Sequence, residues 1–285
     1  MLHLLRAGLS LASLAILVAP AAAQIELGAM YGHGYYQGDL QIDSKYGPLP
    51  IGSGEPAFGL YGRYFYNDRL AFAGSATKLS IKGTDARRVA TVERNLSFTS
   101  DIYEVGLAAE YFPFSAERSV APYLTIGVAY YHHNPKTDYN GQTVALQPLG
   151  TEGQGSPGYA SRYSLHRGAV PMGAGVRVAF GRSWVIGVKA KLRVTFFDHL
   201  DDVSGAYVNY YDLAQTSGTL AADLSDRAHE RTGAEPADRL TGTPRGNPSN
   251  FDYYMSAGLT VGYRLGSGSF GGGAGANRYN KCYSF

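Results

Sequence analysis

The sequence contains a single cysteine, Cys282, so no disulfide can form within the chain. Its formal net charge is only +2, which leaves no electrostatic footprint for nucleic acid, and none is expected as a partner. Beyond residue 24 no apolar run approaches the roughly 20 residues that a membrane-spanning helix needs, which excludes helical spans. A nucleophile elbow is also missing. What the chain does have is 37 Gly, 23 Tyr and 12 Phe among 285 residues. Aromatics at this density, set in short alternating segments, suit a barrel whose rims lie among lipid headgroups.

The two ends stand apart from the rest. Arg6 precedes a compact apolar run at 9–18, and alanines at 21–23 form a small-residue cleavage stretch. Residues 1–23 therefore read as a secretory signal peptide, with Gln24 as the mature N-terminus. No cysteine follows the cut, which argues against a lipoprotein anchor. At the other end, residues 266–276 are nearly all Gly, Ser and Ala and read as a flexible linker. They lead to a short aromatic-basic patch, Arg278, Tyr279, Lys281, Tyr283 and Phe285. The expected organisation is a signal peptide at 1–23, a barrel at 24–265 and a periplasmic tail at 266–285.

Eight segments carry a period of two: 25–36, 57–66, 70–82, 98–112, 119–131, 169–180, 184–197 and 251–265. In the seventh, Trp184, Ile186, Val188, Ala190, Leu192, Val194 and Phe196 alternate with Lys189, Lys191 and Arg193. Alternate side chains of a strand point to opposite faces. A charge at every second position is costly in a soluble buried strand, but it fits lipid outside and a polar lumen inside. The connections alternate too. Those at 67–69, 113–118 and 181–183 are short, and those at 37–56, 83–97, 132–168 and 198–250 are long. This predicts an all-β, eight-stranded antiparallel transmembrane barrel of the outer membrane, with short periplasmic turns and long extracellular loops.

Eight strands enclose an interior just wide enough for side chains to fill. Parity sends Glu26, Glu104, Glu110, Arg63, Arg177, Lys189, Lys191, Arg193 and Arg264 into it, as an ion-pair network. A filled lumen moves function to the rims, loops or outer wall. There, Ser161, Ser164 and His166 raise the question of lipid hydrolysis, but no triad can be assembled from them. His33, His132, His133 and His199 fall near outer rims without a ligand spacing. Asp198, Asp201 and Asp202 cluster after the seventh strand, where a solvated loop start or pairing with Arg245 competes with calcium. The chain reads as a non-enzyme with no cofactor. The loop at 198–250 is long enough to imply a covering or contact role, with a short helix at 221–231.

Three patches carry a resemblance. They are IELGAMYGHGYYQGDL at 25–40, FDHLDDVSGAYVNYY at 197–211 and RGNPSNFDYYMSAGLTVGYRL at 245–265. Together they resemble the PorG-like outer-membrane barrels of the Bacteroidota type IX secretion system. The resemblance implies a non-enzymatic component of that protein-transport machinery, which also supports gliding motility. It would anchor or orient a periplasmic ring made of a lipoprotein and its ring partner. It places Gly38 and Asp39 at the exit of the first strand. Asp201, Asp202, Val203 and Ser204 would order the fourth loop, and Arg245, Gly246 and Pro248 would lead the chain back to the barrel. Ring contacts would fall on Asn67, Asp68, Arg69, Glu117, Arg118, Gly181 and Arg182, together with Arg278, Tyr279, Lys281, Tyr283 and Phe285 of the tail. The alternative is a stand-alone structural or adhesion barrel, with a lipid-modifying enzyme as a third class. In every case the outer wall contacts outer-membrane lipids.

Overall fold

The computed structural model describes residues 24–40, 54–87, 91–181, 183–233 and 240–265. The expected signal peptide, the C-terminal tail and Arg182 lie outside these. Ten strands follow one another: β1 (Gln24–Gln37), β2 (Glu55–Phe65), β3 (Leu70–Thr84), β4 (Ser97–Tyr111), β5 (Val120–His132), β6 (Pro135–Tyr139), β7 (Gln142–Ala145), β8 (His166–Phe180), β9 (Trp184–Val194) and β10 (Tyr253–Leu265). Eight of them, all but β6 and β7, pair antiparallel around a ring. β3 joins β4, and β1 joins β10. The sheet therefore closes with no free edge, the condition lipid imposes because it cannot satisfy open backbone groups.

The outer wall is apolar because every second residue faces lipid. Leu60 (67%), Leu107 (68%) and Leu259 (65%) are mostly exposed, which only a hydrocarbon surround makes favourable. Tyr66, Tyr111, Phe180, Trp184 and Tyr263 ring the end with short turns. Towards the other end an outward row runs in register through Tyr31, Phe58, Lys78, Tyr103, His132 and His166. Where β1 meets β10 the wall must be thin. A Cβ on Gly32 would sit 2.1 Å from the Ala257 carbonyl oxygen, so glycine is required there.

Three local outcomes differ from the sequence reading. The long third loop contains the hairpin β6–β7, closed by Asn140 and Gly141 at φ 49° and 77°. Positive φ at both positions defines a type I′ turn, which favours Asn-Gly. The expected seventh strand at 184–197 ends at Val194, because Phe196 takes φ 51° and turns the chain over the barrel mouth. In the fourth loop, three short helices replace the single helix expected at 221–231: α1 (Tyr210–Ser217), α2 (Thr219–Ser225) and α3 (His229–Thr232). Asn209 caps α1 by accepting from the backbone N–H groups of Tyr211 and Asp212 at 3.0 Å.

Candidate functional site

The lumen is filled by two layers of charge. In the layer nearer the turns, Arg63 of β2 is the hub. Its Nη1 donates to Glu26 at 2.5 Å and its Nε donates to Glu110. Arg177 donates to the other Glu26 oxygen at 2.5 Å and to the Ala116 carbonyl at 2.7 Å. Lys189 reaches Glu110 at 3.2 Å, and the Tyr61 hydroxyl donates to Glu26 at 3.2 Å. An aromatic floor of Phe65, Phe112 and Tyr123 lies beneath, and the Arg63 guanidinium sits 5.0 Å from the Tyr123 ring centre. In the second layer Arg193 grips Glu104 through two bonds, at 2.9 and 3.0 Å. It also donates to Ser256, while Tyr254 donates to Glu104 at 2.7 Å. Planar guanidinium-carboxylate pairs of this kind fix geometry as well as charge.

Two of the expected lumen residues stay outside these pairs. Lys191 lies beside a cavity of about 20 Å³ between the layers, room for about one water. Arg264 faces Glu26 across the β1–β10 register, yet its Nε and Nη2 have no hydrogen-bond partner. Arg63 and Arg177 already occupy both Glu26 oxygens. Strand parity places a side chain inside but does not choose its partner. Tyr61, Tyr254 and Ser256 complete the two layers, and their inward parity was the only signal that could have found them.

Above the barrel the long loops fold onto one another. Leu40, Leu96, Leu146, Leu200, Val203 and Leu224, from all four loops, are buried in one core that continues into the barrel mouth. Polar clasps tie the loops together. Arg94 makes a two-pronged pair with Asp85 at 2.7 and 2.8 Å and donates to the backbone carbonyls of Asp39 and Arg245. Arg245, which is fully buried, donates to Glu152 at 3.0 Å and to the Asp202 carbonyl at 2.6 Å. Arg227 joins the helical part of the fourth loop to β6 through Thr137 and the Asp138 carbonyl.

The aspartates expected to order the fourth loop lie at the centre of this cap. Asp201 and Asp252 both sit 2.7 Å from the Tyr36 hydroxyl. One hydroxyl carries one proton, so this trio needs a second proton on a carboxyl group. Burial pushes Asp201 up to about 7, and burial together with the neighbouring Asp201 pushes Asp252 up as well. Asp202 accepts from Tyr163 and Thr151, both at 2.6 Å, and burial raises it too. Glu152 behaves oppositely. Burial opposes its ionisation, but His199, Arg245 and the Ser204 and Gly205 N–H groups hold it down at about 2.

The other loop positions have packing roles. A Cβ on Gly38 would lie 1.8 Å from Asp252, and one on Gly246 would lie 2.3 Å from Asp39. Asp39 accepts from the Asn247 N–H at 2.7 Å, and Val203 is fully buried. Pro248 is exposed. Tyr36 and Asp252 were part of the quoted first and last patches, but Glu152, Tyr163 and Thr151 carried no local signal that joined them.

The expected ring-contact residues form tight turns. Asn67 accepts from the N–H groups of Arg69 and Leu70 at 2.8 Å. The carbonyls of Asp68 and Arg69 accept from Ala116 and Phe112 of the next turn. The Glu117 N–H donates to Ser115, Arg118 lies over the Phe114 ring, and Gly181 takes φ 64°. Arg182, Arg278, Tyr279, Lys281, Tyr283 and Phe285 lie outside the described residues. No described serine hydroxyl is hydrogen-bonded to a histidine ring, and no described group of three or more His, Cys, Asp or Glu is arranged to hold a metal.

A closed barrel with an apolar wall, a charged interior and loops on one side defines an outer-membrane β-barrel. The chain belongs to the family described as the outer membrane protein beta-barrel domain, which it matches over residues 9–211. It resides in the outer membrane. Among solved structures it is similar to Ail, the attachment invasion locus protein of Yersinia pestis, at 12% identity and a TM-score of 0.41, covering 86% of this chain and 99% of that one. It is also similar to OprG from Pseudomonas aeruginosa, at 10% identity and a TM-score of 0.40, covering 86% and 96%. A major outer membrane protein from Thermus thermophilus gives 12% identity and a TM-score of 0.41, covering 86% and 100%. These likenesses concern the fold. No curated protein matches the sequence.

The comparisons overturn the type IX secretion reading. The family matched is the general outer-membrane barrel domain, not a secretion-system component. The periplasmic ring lipoprotein, its ring partner, gliding motility and a Bacteroidota origin fall with that reading. The structure supplies the physical reason for the misleading patches. Their glycines serve close strand and loop approach, and their aspartates and Arg245 build the cap. Such patterns reflect barrel geometry and loop packing rather than a ring interface.

Proposed function

We propose that this protein is a non-conducting structural or adhesion barrel, in which the wall is an anchor and the folded cap is the working surface. The observation that carries this reading is the single buried core shared by all four extracellular loops. Loops that only connect strands have no need to bury leucines together, and an ordered platform lowers the entropic cost of binding. The two lumen layers beneath it are consistent with an anchor that passes no solute. The test has two parts. In planar bilayers the refolded protein gives no stable single-channel steps. Cells displaying the barrel adhere to host-matrix or neighbouring-cell surfaces, and lose that adhesion when residues 198–250 are replaced by a short Gly-Ser connection while the barrel still inserts. Steady conductance, or adhesion indifferent to the loop replacement, overturns the proposal.

A further inference from the structure

The outer wall carries a histidine pair that the sequence order conceals. His132 ends β5 and His166 begins β8, and the antiparallel register sets them directly opposite each other. Their ring centres are 4.5 Å apart at an interplanar angle of 39°. His166 is exposed and is held in place by Tyr130, whose ring stacks on it at 5.9 Å and 15°. The Ser164 hydroxyl accepts from the His166 N–H at 3.1 Å and pins the start of β8. His132 is half-buried, and its Nδ1 has no hydrogen-bond partner. No carboxylate is seen to neutralise the pair: neither ring takes part in an ion pair among the described residues. Two imidazoles with one orphaned nitrogen, side by side at the extracellular rim, invite an electrophile that both can share.

We propose that His132 and His166 form a two-ligand site for a borderline divalent transition-metal ion of the zinc or copper class, with water completing the coordination. Two imidazoles on one tetrahedral ion, with metal–nitrogen bonds of about 2.1 Å, place their ring centres roughly 5 Å apart. The observed spacing lies within a small side-chain rotation of that arrangement. Imidazole nitrogen suits this class of ion, whereas calcium and magnesium require oxygen. The rim position lets the ion enter from outside the cell. His33 and His199 are not part of the pair: His33 bonds to the Gly54 carbonyl, and His199 lies against Glu152.

The test is isothermal titration of the tag-free, detergent-folded full chain with Zn²⁺ and, separately, Cu²⁺ at neutral pH. One ion binds per barrel, and His132→Ala and His166→Ala each weaken binding by about tenfold or more, whereas His33→Ala and His199→Ala leave it unchanged. Heat-modifiable gel mobility establishes that each variant is folded, and His166→Gln stands in for any alanine variant that is not. Absence of binding by the parent protein overturns the site. So does binding that survives His132→Ala and His166→Ala, or binding lost only in His199→Ala.

Discussion

The lumen and the cap are both buried and rich in charge, but they balance that charge differently. In the lumen, Glu26, Glu104 and Glu110 each meet at least one cation directly. In the cap, Asp201, Asp202 and Asp252 make no ion pair among the described residues and depend on the hydroxyls of Tyr36, Tyr163 and Thr151. The difference follows from what each region must do. The lumen sits within a membrane-bound wall, where a buried carboxylate left without a cation is costly. The cap borders water and can hold carboxyl groups by protonating them. The cap is therefore the region where pH acts.

The largest expected effect is in the lumen. Arg63→Met leaves Glu26 and Glu110 short of their shared cation, and breaking a buried pair of this kind costs about 3–5 kcal/mol. Urea unfolding from liposomes, followed by the fluorescence of the sole tryptophan, Trp184, reads the loss over the whole barrel. A shift under about 1 kcal/mol would show that Arg177 and Lys189 suffice alone.

In the cap, Arg245→Met removes the donor to Glu152 and to the Asp202 carbonyl, at a cost of about 3 kcal/mol. The comparison predicts a local loss. Hydrogen exchange should accelerate in the loops while the strands keep their protection. If the strands exchanged faster as well, cap and lumen would be one cooperative unit and the distinction between them would fail.

Tyr36→Phe deletes the hydroxyl between Asp201 and Asp252, with an expected loss of about 1–3 kcal/mol confined to the cap. A further Asp252→Asn in the Tyr36→Phe background should recover part of it, because the amide can donate to Asp201 without a second negative charge.

The smallest effect is the pH response. Asp201 faces Tyr36, Asp252, Asp39 and Arg245, and its folded-state value of about 7 lies above the ordinary 3.8. The folded protein thus binds more protons than the unfolded chain between these two values. The associated stability is complete at low pH and is lost as pH rises through about 7. Glu152 has the opposite sign, but its contribution is lost only as pH falls below the ordinary carboxylate range towards about 2. Loop protection, taken relative to intrinsic exchange at each pH, should therefore fall from pH 5 to pH 8, and Asp201→Asn should flatten that fall. A response unchanged by Asp201→Asn would assign it to Asp198 or Asp202 instead.

Much of the barrel was legible because lipid outside and charge inside impose a period of two. Trp184 to Val194 announce their faces residue by residue, and the predicted strand ends mostly fall within a few positions of the observed ones. Arg264 shows the limit of that logic, since inward parity did not give it a carboxylate. Asn140-Gly141 was a readable turn signal hidden inside a long loop. The cap was harder to read. Arg245 meets Glu152 across 93 positions and Tyr36 meets Asp252 across 216. The first and last patches contain Tyr36, Asp252 and Arg245, yet nothing in their local pattern says that they meet.

The sequence by itself determined the strands, their outward and inward faces, the alternation of short turns with long loops, and the outer membrane as the solvent. Each follows from local periodicity, because a strand exposes its neighbours to opposite media. Only the tertiary structure decided which inward charges pair, which carboxyl groups share a proton, that four loops fold into one cap, and that His132 and His166 lie side by side. Those outcomes depend on ring closure and register, which bring distant residues within bonding distance and which no local pattern encodes.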